Sequence, residues 1–487
     1  MVAAAISRYF NDGTRTITMI ESDAIGTVVV GEATIPPIRT FNAMLDIPEH
    51  EFLRATRGTY KLGIEFVNWG ALGDRYFHPF GTFGQDLHGI AFHQLYLREQ
   101  ARSGSAGPVS DYSMSCVAAA GGKFARPSPQ ARSAVAELRY AYHFDASLYA
   151  AFLREMAERQ GVKRIEGKIG EVRRDGENGD VEAIVLENGQ SVEGQLFVDC
   201  SGFRALLIEE ALGSGWEDWS RWLPMDRALA VPTSGAPTPD PFTRATAHGA
   251  GWQWRIPLQH RTGNGHVFCS SFMDEDEAQA ILLENVEGGV LADPRLLRFR
   301  TGMRKAAWSH NVVALGLSSG FLEPLESTSI HLIQNGIQRL FALFPDWPID
   351  PRDRDEYNRG MRELYEDVRD FVILHYKATQ RDDTDFWRRV RGMAVPDSLA
   401  RRMEQWQRRG RVFRENAELF TLPSWVAVML GQNVWPEAHE PIADTLDPEK
   451  VAQAMQQMRE NYRAVAGQLP GHEAFLRQSG AWHGGAA

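Results

Sequence analysis

Gly316-Leu-Ser-Ser-Gly-Phe-Leu-Glu-Pro-Leu-Glu326-Ser327-Thr328-Ser329 is followed by an apolar-periodic run from Ile330 to Phe344. A short β-branched strand, Val312 to Leu315, leads into it, glycines and Pro324 turn the chain, and Ser/Thr hydroxyls stand where a helix begins. Strand, turn and helix in that order aim free backbone N–H groups and the positive helix end at one small spot. Two readings are open at this point. Glu326, Ser327 and Thr328 cap the helix, or the helix tip receives an anion.

The surrounding composition narrows the choice. The 487 residues are 43% hydrophobic and 24% charged, enough for two or three domains' worth of core. Net charge is −11, with 52 basic against 63 acidic residues and no long basic run, which argues against nucleic acid as a partner. Apolar stretches such as Val28 to Val30 and Trp425 to Leu430 fall far short of the roughly 20 residues that span a bilayer. The start lacks a basic segment ahead of an apolar one. Cys116, Cys200 and Cys269 are odd in number and far apart, so neither a disulfide framework nor a metal knuckle is expected. The chain reads as soluble and cytoplasmic, with a small neutral or hydrophobic substrate.

Near the N-terminus, a helical segment and the Asn11-Asp-Gly13 turn precede Thr16 to Ile20, a strand ending in Glu21. A strand ending in an acid is what a dinucleotide fold uses to hold a ribose, about 20 residues after a first strand and a Gly-x-Gly-x-x-Gly turn. That strand and turn are not in the sequence. The strand with Glu21 is therefore expected to lack a neighbour, and the chain to lack a short N-terminal segment. Val28 to Pro37, with Gly31, Ala33 and Thr34, reads as a strap over a flat cofactor, and Ile38 to Leu53 as a helix interrupted at Pro48.

Thr59 to Trp69 alternates as one strand, with Tyr60, Leu62, Ile64 and Phe66 on one face and Lys61 on the other, a position where lysine is ordinarily solvated. Tyr76 to Gly84 is an aromatic loop fit to line an apolar pocket, and Ser103 to Ser128 reads as a mobile Ser/Gly/Ala-rich loop. Gly202 follows a strand in a glycine turn that lets backbone approach a phosphate-bearing ligand. Trp252 and Trp254 share one strand face and wall a cavity or fill a core. Beyond Pro345 the chain is mostly helical: Glu356 to Thr379, Asp397 to Gln407 and Pro448 to Leu469.

In order and spacing these landmarks resemble the flavin-dependent tryptophan halogenases, from the first residue to about Trp387. The matching segments are Val30-Gly-Glu-Ala-Thr-Ile-Pro36, Tyr60-Lys-Leu-Gly-Ile-Glu-Phe-Val-Asn-Trp69, Tyr142-His-Phe-Asp145, Val198-Asp-Cys-Ser-Gly202, Trp252-Gln-Trp-Arg-Ile-Pro257, Gly316 to Thr328, and His375-Tyr376 with Arg381-Asp-Asp-Thr384. The resemblance implies an α/β chain with the FAD-binding fold of flavin monooxygenases, an interleaved β-sheet substrate region and a mainly helical C-terminal subdomain. Residues 1–345 form the core, with flavin-binding segments 1–70, 140–210 and 295–345 and substrate-side segments 71–139 and 211–294; residues 346–487 complete the substrate site.

It further implies that reduced FAD from a separate flavin reductase, with oxygen and chloride or bromide, yields hypohalous acid. The cofactor falls to Glu21, Gly31, Ala33, Thr34, Gly202 and Leu317, and the halide to Thr328 and Ser329. Trp252 and Trp254 wall a tunnel, Lys61 receives the oxidant, and Glu326 polarises it and takes the ring proton. His78 and Phe80 sandwich a small aromatic substrate. No metal is required, and a homodimer is compatible with the resemblance. Two departures stand out. Ser329 replaces the family's usual glycine, and the tyrosine- and tryptophan-rich clamp for the substrate's amino-acid backbone reduces to Phe413 to Trp435, with Phe420, Trp425 and Trp435 and no paired tyrosines. The expected substrate is thus an indole-like or other electron-rich aromatic rather than free tryptophan. The alternatives are a flavin-dependent hydroxylase of similar fold and a non-catalytic aromatic-binding remnant without flavin.

Overall fold

The segment that reads as one alternating strand is broken at Leu62, and the break decides where Lys61 goes. In the computed structural model, which describes residues 1–10, 12–25, 31–127, 133–235, 238–415 and 417–483, Thr59–Lys61 and Gly63–Val67 belong to different sheets. Leu62 donates its N–H to Pro241 O (2.7 Å) and accepts from Phe80 N (2.8 Å), so the backbone changes partners at that residue. Gly63 permits the crossing: a Cβ there would lie 2.3 Å from the His78 carbonyl oxygen.

Thr59–Lys61 is an edge of a three-stranded antiparallel sheet with Ala141–Asp145 and Gly31–Ala33. Gly63–Val67 enters a seven-stranded mixed sheet in the order Arg295–Arg298, Arg227–Ser234, Arg261–Phe268, Gly251–Pro257, Thr243–Ala247, Gly63–Val67, Arg75–Pro79. In that sheet Ile64 stands opposite His78, and Trp254 opposite Gly265. Arg75–Pro79 is thus a strand and not part of the aromatic loop, because its backbone completes the hydrogen bonds of Gly63–Val67.

Besides the parallel pair Thr243–Ala247/Gly63–Val67 inside that sheet, two parallel pairs stand outside it among the described residues. Thr18–Glu21 pairs with Lys163–Glu166, and Phe197–Asp199 with Val312–Ala314. Among the described residues Thr18–Glu21 has a partner on one side only, as the sequence leads one to expect. The apolar run Val28 to Val30 lies outside the described residues.

Ser103 to Ser128 departs from its reading as a loop. It contains the helix Met114–Ala120, with Met114, Cys116, Ala118 and Ala119 buried; small residues let this helix pack closely against its neighbours. Two helices follow: Ser329–Ala342, which packs against Pro37–Met44, and the 27-residue Pro351–Lys377, which lies over the seven-stranded sheet with Phe371 by His78 and His375 by Phe66 and whose cap Asp350 accepts from Arg352 N. Asp385–Gly392, Asp397–Arg409, Leu422–Gly431, Pro448–Gln468 and His472–Gln478 complete the helical C-terminal part. One buried apolar cluster runs from Ala4 to Ala481, joining that part to the sheets, and a smaller one lies under the hairpin Ile169–Arg174/Val181–Leu186. The three cysteines are free, and among the described residues no helix is long and apolar enough to cross a membrane.

Candidate active site

Lys61 ends its strand fully buried, not solvated. Its Nζ donates to Ser327 Oγ at 2.9 Å and stands 5.3 Å from the centre of the Phe80 ring. Burial lowers its pKa from 10.5 to about 7, with Glu326 pulling in the opposite direction. An amine that gives up its proton near neutrality is a nucleophile as well as a donor.

Glu326, one residue before Lys61's partner, is 1% exposed. Its direct contacts are two imidazoles. His78 Nδ1 lies 3.0 Å from each carboxylate oxygen, and His375 Nε2 lies 2.8 Å from Oε1, an ion-pair contact rather than a straight hydrogen bond. His375 Nδ1 donates to Phe371 O at 2.9 Å, so its Nε2 attracts the carboxylate only when that nitrogen also carries a proton. Burial alone raises the Glu326 pKa; His78 and His375 outweigh it and hold the group down at about 2. It is a standing anion.

The helix Ser329–Ala342 starts directly behind this pair. Thr328 occupies the cap position, yet its side chain makes no capping hydrogen bond, and its buried Oγ1 has no partner. Ser327 adopts a left-handed backbone (φ 60), unusual outside glycine, which turns the chain so that its hydroxyl meets Lys61. Two further buried polar atoms on the same helix are orphaned, His331 Nδ1 and Gln334 Nε2. His331 Nε2 faces Asn335 Nδ2 at 3.1 Å, so a neutral His331 carries its proton on the orphaned Nδ1. The helix start therefore offers donors with nothing to donate to, which suits an acceptor-rich or anionic ligand such as a halide or a flavin edge.

Trp252 and Trp254 stand side by side, ring centres 6.1 Å apart and both buried. Trp252 Nε1 donates to Glu323 Oε1 at 3.1 Å, and Tyr376 OH donates to the same oxygen at 2.5 Å.

The profile of the tryptophan halogenase family matches residues 1–448. This chain belongs to the tryptophan halogenase family. It is 33% identical to a tryptophan 6-halogenase of Streptomyces toxytricini over 99% of this chain and 96% of that protein. Among solved structures, a flavin-dependent halogenase from Xanthomonas campestris superposes with a TM-score of 0.95 at 48% identity, covering 100% of this chain and 96% of the other. One from a Brevundimonas species gives 0.94 at 47%, covering 98% and 96%. The protein is a flavin-dependent halogenase, an oxidoreductase that uses reduced FAD and a halide.

Within the halogenase the remaining sequence-predicted positions are scattered. Glu21 is held by Arg154 (2.7 Å) and Arg164 (2.6 Å). Gly31 and Ala33 pair with Asp145 and His143, and Thr34 Oγ1 donates to Tyr142 O at 2.8 Å. Gly202 (φ 76) opens a tight turn, and Leu317 lines a cavity of about 270 Å³ with Phe203, Trp216 and Arg304. Sequence reasoning missed Glu323, His375 and Tyr376 as site residues. Their signals were present: Glu323 shares an otherwise apolar loop with Glu326, and His375-Tyr376 is one of the matching motifs.

Proposed function

We propose that this halogenase makes hypohalous acid at the flavin and delivers it past Lys61 to an indole-like or other electron-rich aromatic rather than to free tryptophan. The observation that carries the reading is Lys61: a fully buried amine hydrogen-bonded to Ser327, beside the ionised Glu326 and next to a helix tip with an unpartnered Thr328 hydroxyl. When bound, reduced FAD supplies the two electrons that let oxygen convert halide to hypohalous acid. Thr328 and the N–H of Ser329 hold the halide at the positive helix end. Glu21, Gly31, Ala33, Thr34, Gly202 and Leu317 hold the cofactor, and Trp252 and Trp254 keep it apart from the organic substrate. Lys61 hydrogen-bonds the oxidant or takes its halogen as a haloamine. Glu326 stabilises the cation that forms when halogen adds to the ring. His78 and Phe80 position that ring, and the part from residue 346 closes the site with Phe371 and Phe420, stacked at 3.8 Å.

The substrate preference is supported by what stands where an amino-acid clamp would be. No tyrosine occurs between Tyr376 and Tyr462, and Trp425 Nε1 is used internally on Phe420 O at 3.2 Å. The inferred partner is a separate flavin reductase, with both proteins in the cytoplasm. Incubation with a reductase, FAD and bromide over a panel of indoles, phenols and free tryptophan, read by mass spectrometry, tests the reading. Brominated indoles with tryptophan unreacted support it. Oxygenated products alone would revive the hydroxylase, and efficient bromination of free tryptophan would remove the substrate claim.

A further inference from the structure

Glu323 and Glu326 stand three residues apart on one loop, and consecutive residues of Pro351–Lys377 each grip one of them: Tyr376 takes Glu323 and His375 takes Glu326. The two carboxyls have opposite surroundings. Glu326 meets imidazoles on both sides. Glu323, 0% exposed, meets an indole N–H and a phenol O–H that both donate to Oε1, while Oε2 is buried without any partner. The other titratable groups around it are Cys269 behind Tyr376, His375 on the same helix, Glu326 on its own loop, and Lys61 by way of Ser327.

An ionised Glu323 would leave Oε2 as a buried anion with no donor, whereas the acid form leaves there only a neutral hydroxyl without an acceptor, which costs less. Burial accordingly raises its pKa to about 7, with Tyr376 and Trp252 pulling it back, against about 2 for Glu326. Environments that separate two neighbouring carboxyls in this way divide their roles.

We infer that Glu323 is a positioning residue that works as a neutral carboxylic acid: it pins Trp252 to the loop bearing Glu326 and Ser327 while keeping a second negative charge away from the anion-binding helix tip at Thr328. The inference rests on the proposed function for its halide. When Glu323 loses its proton, a buried negative charge appears on the segment leading into the halide site, and repulsion at low dielectric weakens halide binding. Below neutrality the charge is absent and binding is at full strength.

Three measurements test this. In wild type, the bromide KM is expected to rise about tenfold between pH about 6 and about 8.5. Glu323→Gln, whose amide oxygen accepts the same two donors with no charge to gain, flattens that rise. Tyr376→Phe removes a donor that favours the ionised form and moves the rise to higher pH. Independently of turnover, infrared difference spectra between the two pH values show a protonated-carboxyl band lost in Glu323→Gln; Glu32, also pushed up to about 7 by burial, contributes a second band that remains. A bromide KM that climbs unchanged in Glu323→Gln would assign the rise to Lys61 and overturn the inference. So would infrared spectra identical in wild type and variant. If wild type halogenates nothing on the panel, the functional reading fails, while the infrared comparison still decides whether Glu323 holds a proton.

Discussion

Lys61→Met separates what the ammonium does for the reaction from what it costs the fold. The fall from 10.5 to about 7 corresponds to about 5 kcal/mol of preference for the uncharged amine inside the protein. Below pH 7 both folded and unfolded chains carry the proton and the folded state bears that cost in full. Between 7 and 10.5 the unfolded chain binds the proton and the folded one does not, so stability rises with pH; above 10.5 the cost has vanished. Methionine keeps the length and apolar stem and removes the charge. The attraction to Glu326 is already contained in the lowered pKa, so the variant forfeits only the Ser327 hydrogen bond, about 1 kcal/mol, which leaves a net gain of about 4 kcal/mol at pH about 6.5 and close to none at pH about 10. With 487 residues the unfolding entropy amounts to about 1 kcal/mol per °C, so Tm rises by about 4 °C at the lower pH. Thermal melts at the two pH values read this, alongside reduced-flavin oxidation followed by absorbance and product analysis by mass spectrometry. Flavin oxidation persists and halogenation falls by at least about 10³-fold. A variant less stable than wild type at the acid pH, or one that still halogenates, would refute the reasoning.

Glu326→Gln removes the buried carboxylate that His78 and His375 both face; it lowers stability by about 1–3 kcal/mol and halogenation by about 10²–10³-fold, measured by denaturant melts and product yield, with flavin oxidation retained. Thr328→Val removes a hydroxyl that no protein group needs, so Tm holds or rises, while the bromide KM increases about 5- to 10-fold in steady-state kinetics. Gly265→Ala sets a Cβ 2.1 Å from the Trp254 ring and 2.7 Å from Leu229 O; it costs about 1–3 kcal/mol and shifts the tunnel wall, so released oxidant rises relative to halogenated product.

Much of the outline was legible in the chain itself. The order strand, glycine turn, Pro324, hydroxyls, apolar helix placed Val312–Ala314 and Ser329–Ala342 within a residue or two, because local backbone preferences decide such boundaries. Type and spacing left Lys61 as an ordinary strand lysine and Glu326 and Thr328 as helix caps; the resemblance carried by the order of the motifs is what singled them out, with the two tryptophans, as site residues.

What the sequence could not decide was partnership. Alternation promised one strand from Thr59 to Trp69; the hydrogen bonds of Leu62 to Pro241 and Phe80, residues distant in the chain, split it between two sheets. Nor could spacing show that Glu326 is clamped by His78 and His375, 248 residues away on one side, or that Glu323 shares its oxygen between Trp252 and Tyr376. Residue type and period are local properties and survive in a single string, whereas burial, and with it the protonation that separates an ionised Glu326 from a neutral Glu323, depends on which remote segments exclude water from each group.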